Sequence, residues 1–267
     1  MPWHLDDLGI PALRAQSSGE GIRVAVLDTG VAAVPGAFGS LRAFAPDGSA
    51  AGNIDDDGHG TACASLIASQ TTDAPGVAPA VELVSIKITA GGKPVEADVL
   101  AAFETVVAKK CHVVSCSFTL RQADTALLDA IRAACNQGIV VVAASGNDPS
   151  VASDFPERTP NVLVVGPYGR NRQFLPSRFG LFTDVLAPGE DLDTLTPAGA
   201  TVSFGETSGA AAVTAGVMAL VLSITRSSGT ARVGLALEGL ARATALPAAG
   251  ARLLDPDRLL HAAQNLP

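Results

Sequence analysis

The strongest constraint in this chain is a recurrence: short, β-branched apolar runs that stop at polar residues, with helical periodicity between them. Ile22 to Leu27 ends at Asp28 and is followed by Gly30. Val81 to Ile88, Val113 to Phe118, Ile139 to Ala144 and Val162 to Val165 are further runs of this kind. Each reads as a strand buried on both faces. Gly60 to about Ser69 is a small-residue apolar segment suited to a buried helix. Val95, Val99, Phe103, Val106 and Val107 recur at helical spacing, as do Leu127, Leu128, Ile131, Ala134 and Cys135. The first of these two helices is predicted to end near Lys109 and Lys110, the second at Gly138. Strands alternating with helices predict an α/β fold, a mostly parallel sheet with helices on both faces. Such sheets bind ligands beyond the carboxyl ends of their strands, and Asp28, Ser117 and Asn147 all fall at such ends.

Thr207 to Ile224 is apolar on nearly all sides and rich in Gly and Ala, which predicts a helix in the centre of a core. Arg232 to Arg242 and Asp255 to Ala263 read as peripheral helices. With no internal repeat or long linker, residues 1–267 read as one domain. Hydrophobic residues make up 48% and charged residues 16%, which requires a large buried interior and excludes disorder. A net charge of −8 argues against nucleic acid or an anionic membrane as partner. No apolar run is read as approaching the roughly 20 residues of a membrane-spanning helix. Met1-Pro2-Trp3-His4-Leu5-Asp6-Asp7 lacks the basic and apolar regions of a signal peptide. A cytoplasmic location is therefore expected, or secretion if a leader has been trimmed. Cys63, Cys111, Cys116 and Cys135 show no CxxC spacing, so buried reduced thiols are expected and zinc is not. His4, His112 and His261 read as structural or surface residues, and the sequence assigns no oligomeric state.

Three blocks carry chemistry. Val26-Leu27-Asp28-Thr29-Gly30, Gly58-His59-Gly60-Thr61 and Glu206-Thr207-Ser208-Gly209 supply an aspartate, a histidine and a serine in that order. A serine hydroxyl is a weak nucleophile unless a base takes its proton. Asp28, His59 and Ser208 suit the orienting acid, the base and the nucleophile of such a relay. A histidine base of ordinary pKa predicts activity rising through about pH 6.5. Ala143-Ala144-Ser145-Gly146-Asn147 adds a side-chain amide. Asn147, the Ser208 backbone N–H and Thr207 are assigned to an oxyanion hole.

These blocks make the chain similar to the subtilisin-like serine peptidases, the subtilases. Gly76-Val77-Ala78-Pro79, Phe155-Pro156, Pro160-Asn161-Val162, Ala187-Pro188-Gly189 and Ala215-Gly216 extend the resemblance over nearly the whole chain. The order Asp, His, Ser is that of subtilisin and differs from chymotrypsin. The resemblance implies a subtilisin-like three-layer fold and a serine endopeptidase acting on peptides or proteins with no cofactor for catalysis. It also implies a groove in which Ser117, Phe118 and Thr119 form one wall that pairs with an extended peptide. Ala144, Ser145 and Gly146 would line the first specificity pocket and leave room for a sizeable side chain.

The departures from the family pattern are local. Glu206 stands where subtilases usually carry glycine, placing a carboxylate beside the scissile bond. That group would perturb His59, favour a basic substrate residue, or simply sit exposed on the rim. Thr119 replaces a glycine and would narrow the groove if it faces inward; Gly209 replaces a methionine, and Ala212-Val213 a Pro-His pair. Ser69 to Pro75 is short beside the family's calcium-binding loop, so structural calcium is not supported. Asp55, Asp56 and Asp57 read as helix-entry or solvated acids with no metal, since a hard cation takes about 6–8 oxygens. Cys63, one turn after His59, reads as a packing thiol. The favoured function is a narrow-specificity processing protease. The same acyl-enzyme resolved by a peptide amine gives a transpeptidase or macrocyclase, and a third alternative is a non-catalytic peptide binder. The complete relay argues against the last, and the lack of a lid-like insertion against the second.

Overall fold

The computed structural model describes residues 2–266 apart from 53, 149, 151, 157–158, 175–181, 228–232 and 249–250. Its strands are β1 (Arg23–Asp28), β2 (Leu41–Phe44), β3 (Glu82–Lys87), β4 (Thr89–Ala90), β5 (Lys93–Pro94), β6 (Val113–Cys116) and β7 (Val140–Ala144). They continue as β8 (Val162–Gly169), β9 (Gln173–Phe174), β10 (Val185–Pro188), β11 (Leu192–Leu195), β12 (Thr201–Phe204), β13 (Leu246–Ala248) and β14 (Ala251–Leu253). The helices are α1 (Trp3–Asp7), α2 (Ile10–Arg14), α3 (His59–Ala68), α4 (Glu96–Ala108), α5 (Thr125–Asn136), α6 (Glu206–Ser227), α7 (Val233–Thr244) and α8 (Pro256–Gln264).

The main sheet runs β13-β14-β10-β8-β7-β6-β1-β3-β2, with β9 paired to β8. From β14 to β2 every pairing is parallel. The two-residue side-chain period sorts the central strands between two cores. Val24, Val26, Val113, Val140 and Val142 join the cluster that includes α3 and α6. Ala25, Leu27, Val114, Cys116, Val141 and Ala143 join the cluster that includes α4 and α5. Both faces are therefore covered, which is why these strands read as continuous apolar runs.

α6 packs against β6, β7, β8 and β10 and against α3. Its Ala and Gly residues permit that close approach from several sides. By length and composition it is able to cross a membrane, with mean hydropathy 1.8, which corrects the expectation that no run approaches that length. The whole window is nonetheless buried inside the protein. The short edge strand β2, strand β10 and the small hairpins β4–β5, β11–β12 and β13–β14 were not foreseen. The first predicted C-terminal helix is α7; its proposed first residue, Arg232, lies outside the described residues, as does Asn53 of the loop before His59.

Register aligns the strand ends. Leu27 pairs with Cys116 and Cys116 with Ala143. Asp28, Ser117 and Ala144 consequently occupy one row at the carboxyl edge, and Asn147 follows three residues beyond it.

Candidate active site

β1 delivers Asp28 to that edge, and α3 begins with His59. Gly60 lets the two elements meet: a Cβ there would collide with the Gly30 carbonyl and lie 3.1 Å from the Asp28 Cβ. With glycine in place, His59 Nδ1 lies 2.7 Å from Asp28 Oδ1 and Nε2 lies 3.0 Å from Ser208 Oγ. Asp28 Oδ1 also accepts the Thr29 N–H at 2.7 Å, which fixes the carboxylate. Asp28 and Ser208 are buried, while the His59 side chain keeps 29% of its surface open. The Phe204 ring stands edge-on to His59 at 5.3 Å and covers one flank. A Cβ on Gly209 would sit 2.9 Å from the Leu192 Cδ1 methyl of β11, so a side chain after the nucleophile would have to displace that methyl.

Of the three consecutive acids, only Asp55 is buried. It accepts hydrogen bonds from Thr29 Oγ1 (2.8 Å), Gly58 N (2.8 Å), Thr61 N (2.9 Å) and Thr61 Oγ1 (2.6 Å). Burial alone would raise its carboxyl; the bonds from Thr61, Gly58 and Thr29 outweigh that and hold it below its ordinary range. Asp55 thus ties β1 to the free amides at the start of α3. Asp56 pairs with Lys87 and Asp57 Oδ1 accepts the His59 N–H, so each of the three carboxylates has its own partners within the protein. In the segment after α3, Ser69 bonds Thr71 and Gln70 Nε2 donates to the Pro79 carbonyl.

The four cysteines are free and buried. Cys63 is more than filler. Its Sγ lies 3.8 Å from His59 Nδ1 and donates to Ser117 Oγ at 3.4 Å. The Cys63 sulfur and the Asp28 carboxylate raise the His59 imidazole above its ordinary value against the opposing effect of burial; because the Cys63 thiol keeps its proton, the carboxylate is the standing charge beside the ring. This corrects the expectation of an unperturbed base. Burial also raises the Cys63 thiol. The ligand atoms of Asp28, His59 and Cys63 lie within 4.8 Å of one another, a grouping that sequence spacing concealed.

Asn147 is oriented from behind. Its Oδ1 accepts the Thr207 N–H at 3.2 Å and the Thr207 hydroxyl at 2.5 Å. The Thr207 side chain therefore holds the amide and does not itself point at an oxyanion, contrary to the sequence-based expectation. Asn147 Nδ2 in turn donates to Glu206 Oε2 at 2.5 Å. Glu206 has φ 58°, a left-handed conformation that costs a non-glycine residue on the order of 1 kcal/mol.

The Ser117 Oγ donates to the Ser208 carbonyl at 3.2 Å, supporting the nucleophile's backbone, while the residue also lines the open pocket beside His59. Phe118 stacks on Phe155 at 5.4 Å. Ala144 and Ser145 are buried, leaving Gly146 as the partly open residue of that wall. A Cβ on Gly146 would meet Thr119 Cγ2 at 3.2 Å, so the Thr119 side chain packs beside Gly146. A pocket of about 280 Å³ opens between His59, Phe118 and the β4–β5 hairpin, with Asp57 on its lining. Neither that hairpin nor Phe204 was singled out from sequence.

Residues 19–258 match the subtilase family. The chain is 31% identical over 229 residues to subtilisin BL of Lederbergia lenta, across 83% of this chain and 84% of that protein. It is equally 31% identical to the M-protease of Shouchella clausii (strain KSM-K16), where the match covers 83% of this chain but 59% of the relative's length. Among solved structures, the prenylagaramide maturation protease PagA superposes with a TM-score of 0.82 at 26% identity, covering 96% of this chain and 98% of that one.

Proposed function

This chain belongs to the subtilase family of serine peptidases, and we propose that it is an endopeptidase that cleaves a narrow set of peptides through an acyl-enzyme on Ser208. The observation that carries this reading is His59 held between Asp28 Oδ1 at 2.7 Å and Ser208 Oγ at 3.0 Å. Ser208 Oγ attacks the scissile carbonyl as His59 Nε2 takes its proton, and Asp28 stabilises the imidazolium. Asn147 Nδ2 and the Ser208 N–H, at the positive end of α6, receive the oxyanion. His59 then protonates the departing amine. Water, deprotonated by the same imidazole, attacks the acyl group and frees Ser208. Side chains and backbone supply every step, so the reading needs no cofactor.

A narrow substrate range is supported by Thr119 packing beside Gly146, where it limits the space at that residue, and by the pocket beside the β4–β5 hairpin. Similarity to a maturation protease supports a processing role. Four buried free thiols fit a reducing compartment such as the cytoplasm. We expect Ser208→Ala to fold normally and to lose both peptide cleavage and labelling by a fluorophosphonate; undiminished turnover would refute the assignment. Mass spectrometry of the products separates hydrolysis from cyclisation, since a macrocycle lacks the added water.

A further inference from the structure

We propose that Glu206 is a substrate-displaced latch on the Asn147 amide, and that it selects peptides carrying a cationic side chain beside the scissile bond. The inference rests on the peptidase reading above and concerns what that site prefers to cut.

Three observations carry it. Thr207 grips Asn147 Oδ1 through both its N–H and its hydroxyl, so the amide cannot turn and Nδ2 has a fixed direction. Along that direction stands the Glu206 carboxylate, at 2.5 Å. The Glu206 backbone is locked as well: its N–H donates to the Gly189 carbonyl at 2.6 Å, in a left-handed conformation that glycine adopts without steric cost. A carboxylate is thus maintained on the oxyanion-hole donor at a position better suited to glycine.

A carboxylate oxygen and the alkoxide of a tetrahedral intermediate are both strong anionic acceptors, and both want this N–H. If the second N–H of the same amide served the alkoxide, two anions would share one –NH2 group. In either case the carboxylate must swing out or be countered. Among the described residues, no ion pair includes Glu206. The counter-charge therefore comes from the substrate: a lysine or arginine next to the scissile bond draws the carboxylate off Nδ2 as the oxyanion forms. A neutral peptide has nothing to offer it.

A carboxylate at a helix N-terminus also stabilises the helix, and that role alone would alter melting and leave rates untouched. The test uses the full chain as wild type, E206Q and E206G. Fluorogenic peptides are matched in pairs that differ only in arginine against norleucine on either side of the cleaved bond. We expect E206Q and E206G to raise kcat/KM on the norleucine peptides by about threefold or more. The wild-type preference for arginine, about tenfold, should fall below about twofold in E206Q. A peptide boronate, whose tetrahedral adduct places an anion in the hole, should bind E206Q more tightly by a factor similar to the rate gain. Norleucine peptides cut no faster by either variant would overturn the latch. An arginine preference that survives in E206Q would overturn the selection of cations. A wild-type chain that a fluorophosphonate does not label at Ser208 would defeat the peptidase reading instead, so the two failures are distinct.

Discussion

His59 faces three groups at once: the Asp28 carboxylate, the Cys63 sulfur and the Ser208 hydroxyl. A base works only when neutral, and this one is held above its ordinary value by the neighbouring Cys63 sulfur and Asp28 carboxylate, of which only the carboxylate is charged while the thiol keeps its proton. The sign follows directly. At a given pH more of the enzyme carries the inactive imidazolium, so the rising limb of activity moves to the alkaline side of about 6.5. We expect kcat/KM to climb with pH through a midpoint above that value. Cys63→Ala removes a protonated thiol and no charge, so it should leave both the midpoint and Ser208 labelling in place. A wild-type midpoint at or below 6.5 would show that the base is not raised, and one that Cys63→Ala draws down would show that the sulfur is charged beside it. Sequence spacing placed Cys63 one turn from His59, and their 3.8 Å approach is the local geometry of positions i and i+4 on α3. The 2.7 Å contact of His59 with Asp28 is not local; it is set by how α3 meets β1.

At the level of elements, the entrance to α3 decides whether the relay forms. Gly58, at φ 103°, and Gly60 let the chain turn sharply and press His59 against β1. Asp55 then binds the turn to the helix through Thr29, Gly58 and Thr61. Asp55→Ala strips five donors of one acceptor group, two of them on Thr61 in a buried position; we expect a loss of about 2–4 kcal/mol in denaturant unfolding. Activity should fall through kcat more than through KM, because His59 loses its support while the groove does not. A variant as stable and as active as wild type would remove Asp55 from this role. The elements themselves were unequally legible in the sequence. β1, β3, β6 and β7 were readable because burial on both faces demands unbroken apolar runs. β2 is a four-residue edge strand and β10 ends at a proline, so neither offers a run long enough to stand out. Asp28, His59, Ser208 and Asn147 were readable because each sits at an element end flanked by glycine or small polar residues. Asp55 was not, since three adjacent aspartates carry no sign of which one turns inward, and the Glu206–Asn147 contact depends on two segments far apart in the chain.

For the molecule as a whole, the histidines impose opposing pH dependences on stability. His4 is fully buried, neither ring nitrogen has a hydrogen-bond partner among the described residues, and burial followed by the nearby Arg14 lowers its pKa to about 4. His112, half-buried, is also lowered to about 4, by burial first and then by Arg226 and Arg23. Between pH 4 and the ordinary value of 6.5 the unfolded chain takes up protons at these residues and the folded chain does not. Stability therefore falls as the pH drops through that window and levels off below it. For His4, a lowering from 6.5 to about 4 corresponds to at most about 3 kcal/mol; the more open His112 adds less. Asp55 acts in the same sense at lower pH, because its folded value lies below 3.8. His59 works the other way. Its raised value adds stability that is complete below 6.5 and is lost as the pH climbs through the folded value. Together these groups place the stability maximum near the ordinary histidine pKa, with an acid limb owed mainly to His4 and an alkaline decline owed to His59. Unfolding in urea at pH 4, 6.5 and 9 measures both limbs. His4→Leu removes two orphaned nitrogens and a titrating group together, so it should flatten the acid limb and leave the alkaline one unchanged. An acid limb of equal slope in that variant would mean that carboxylates, not the buried imidazole, set the acid sensitivity of the fold.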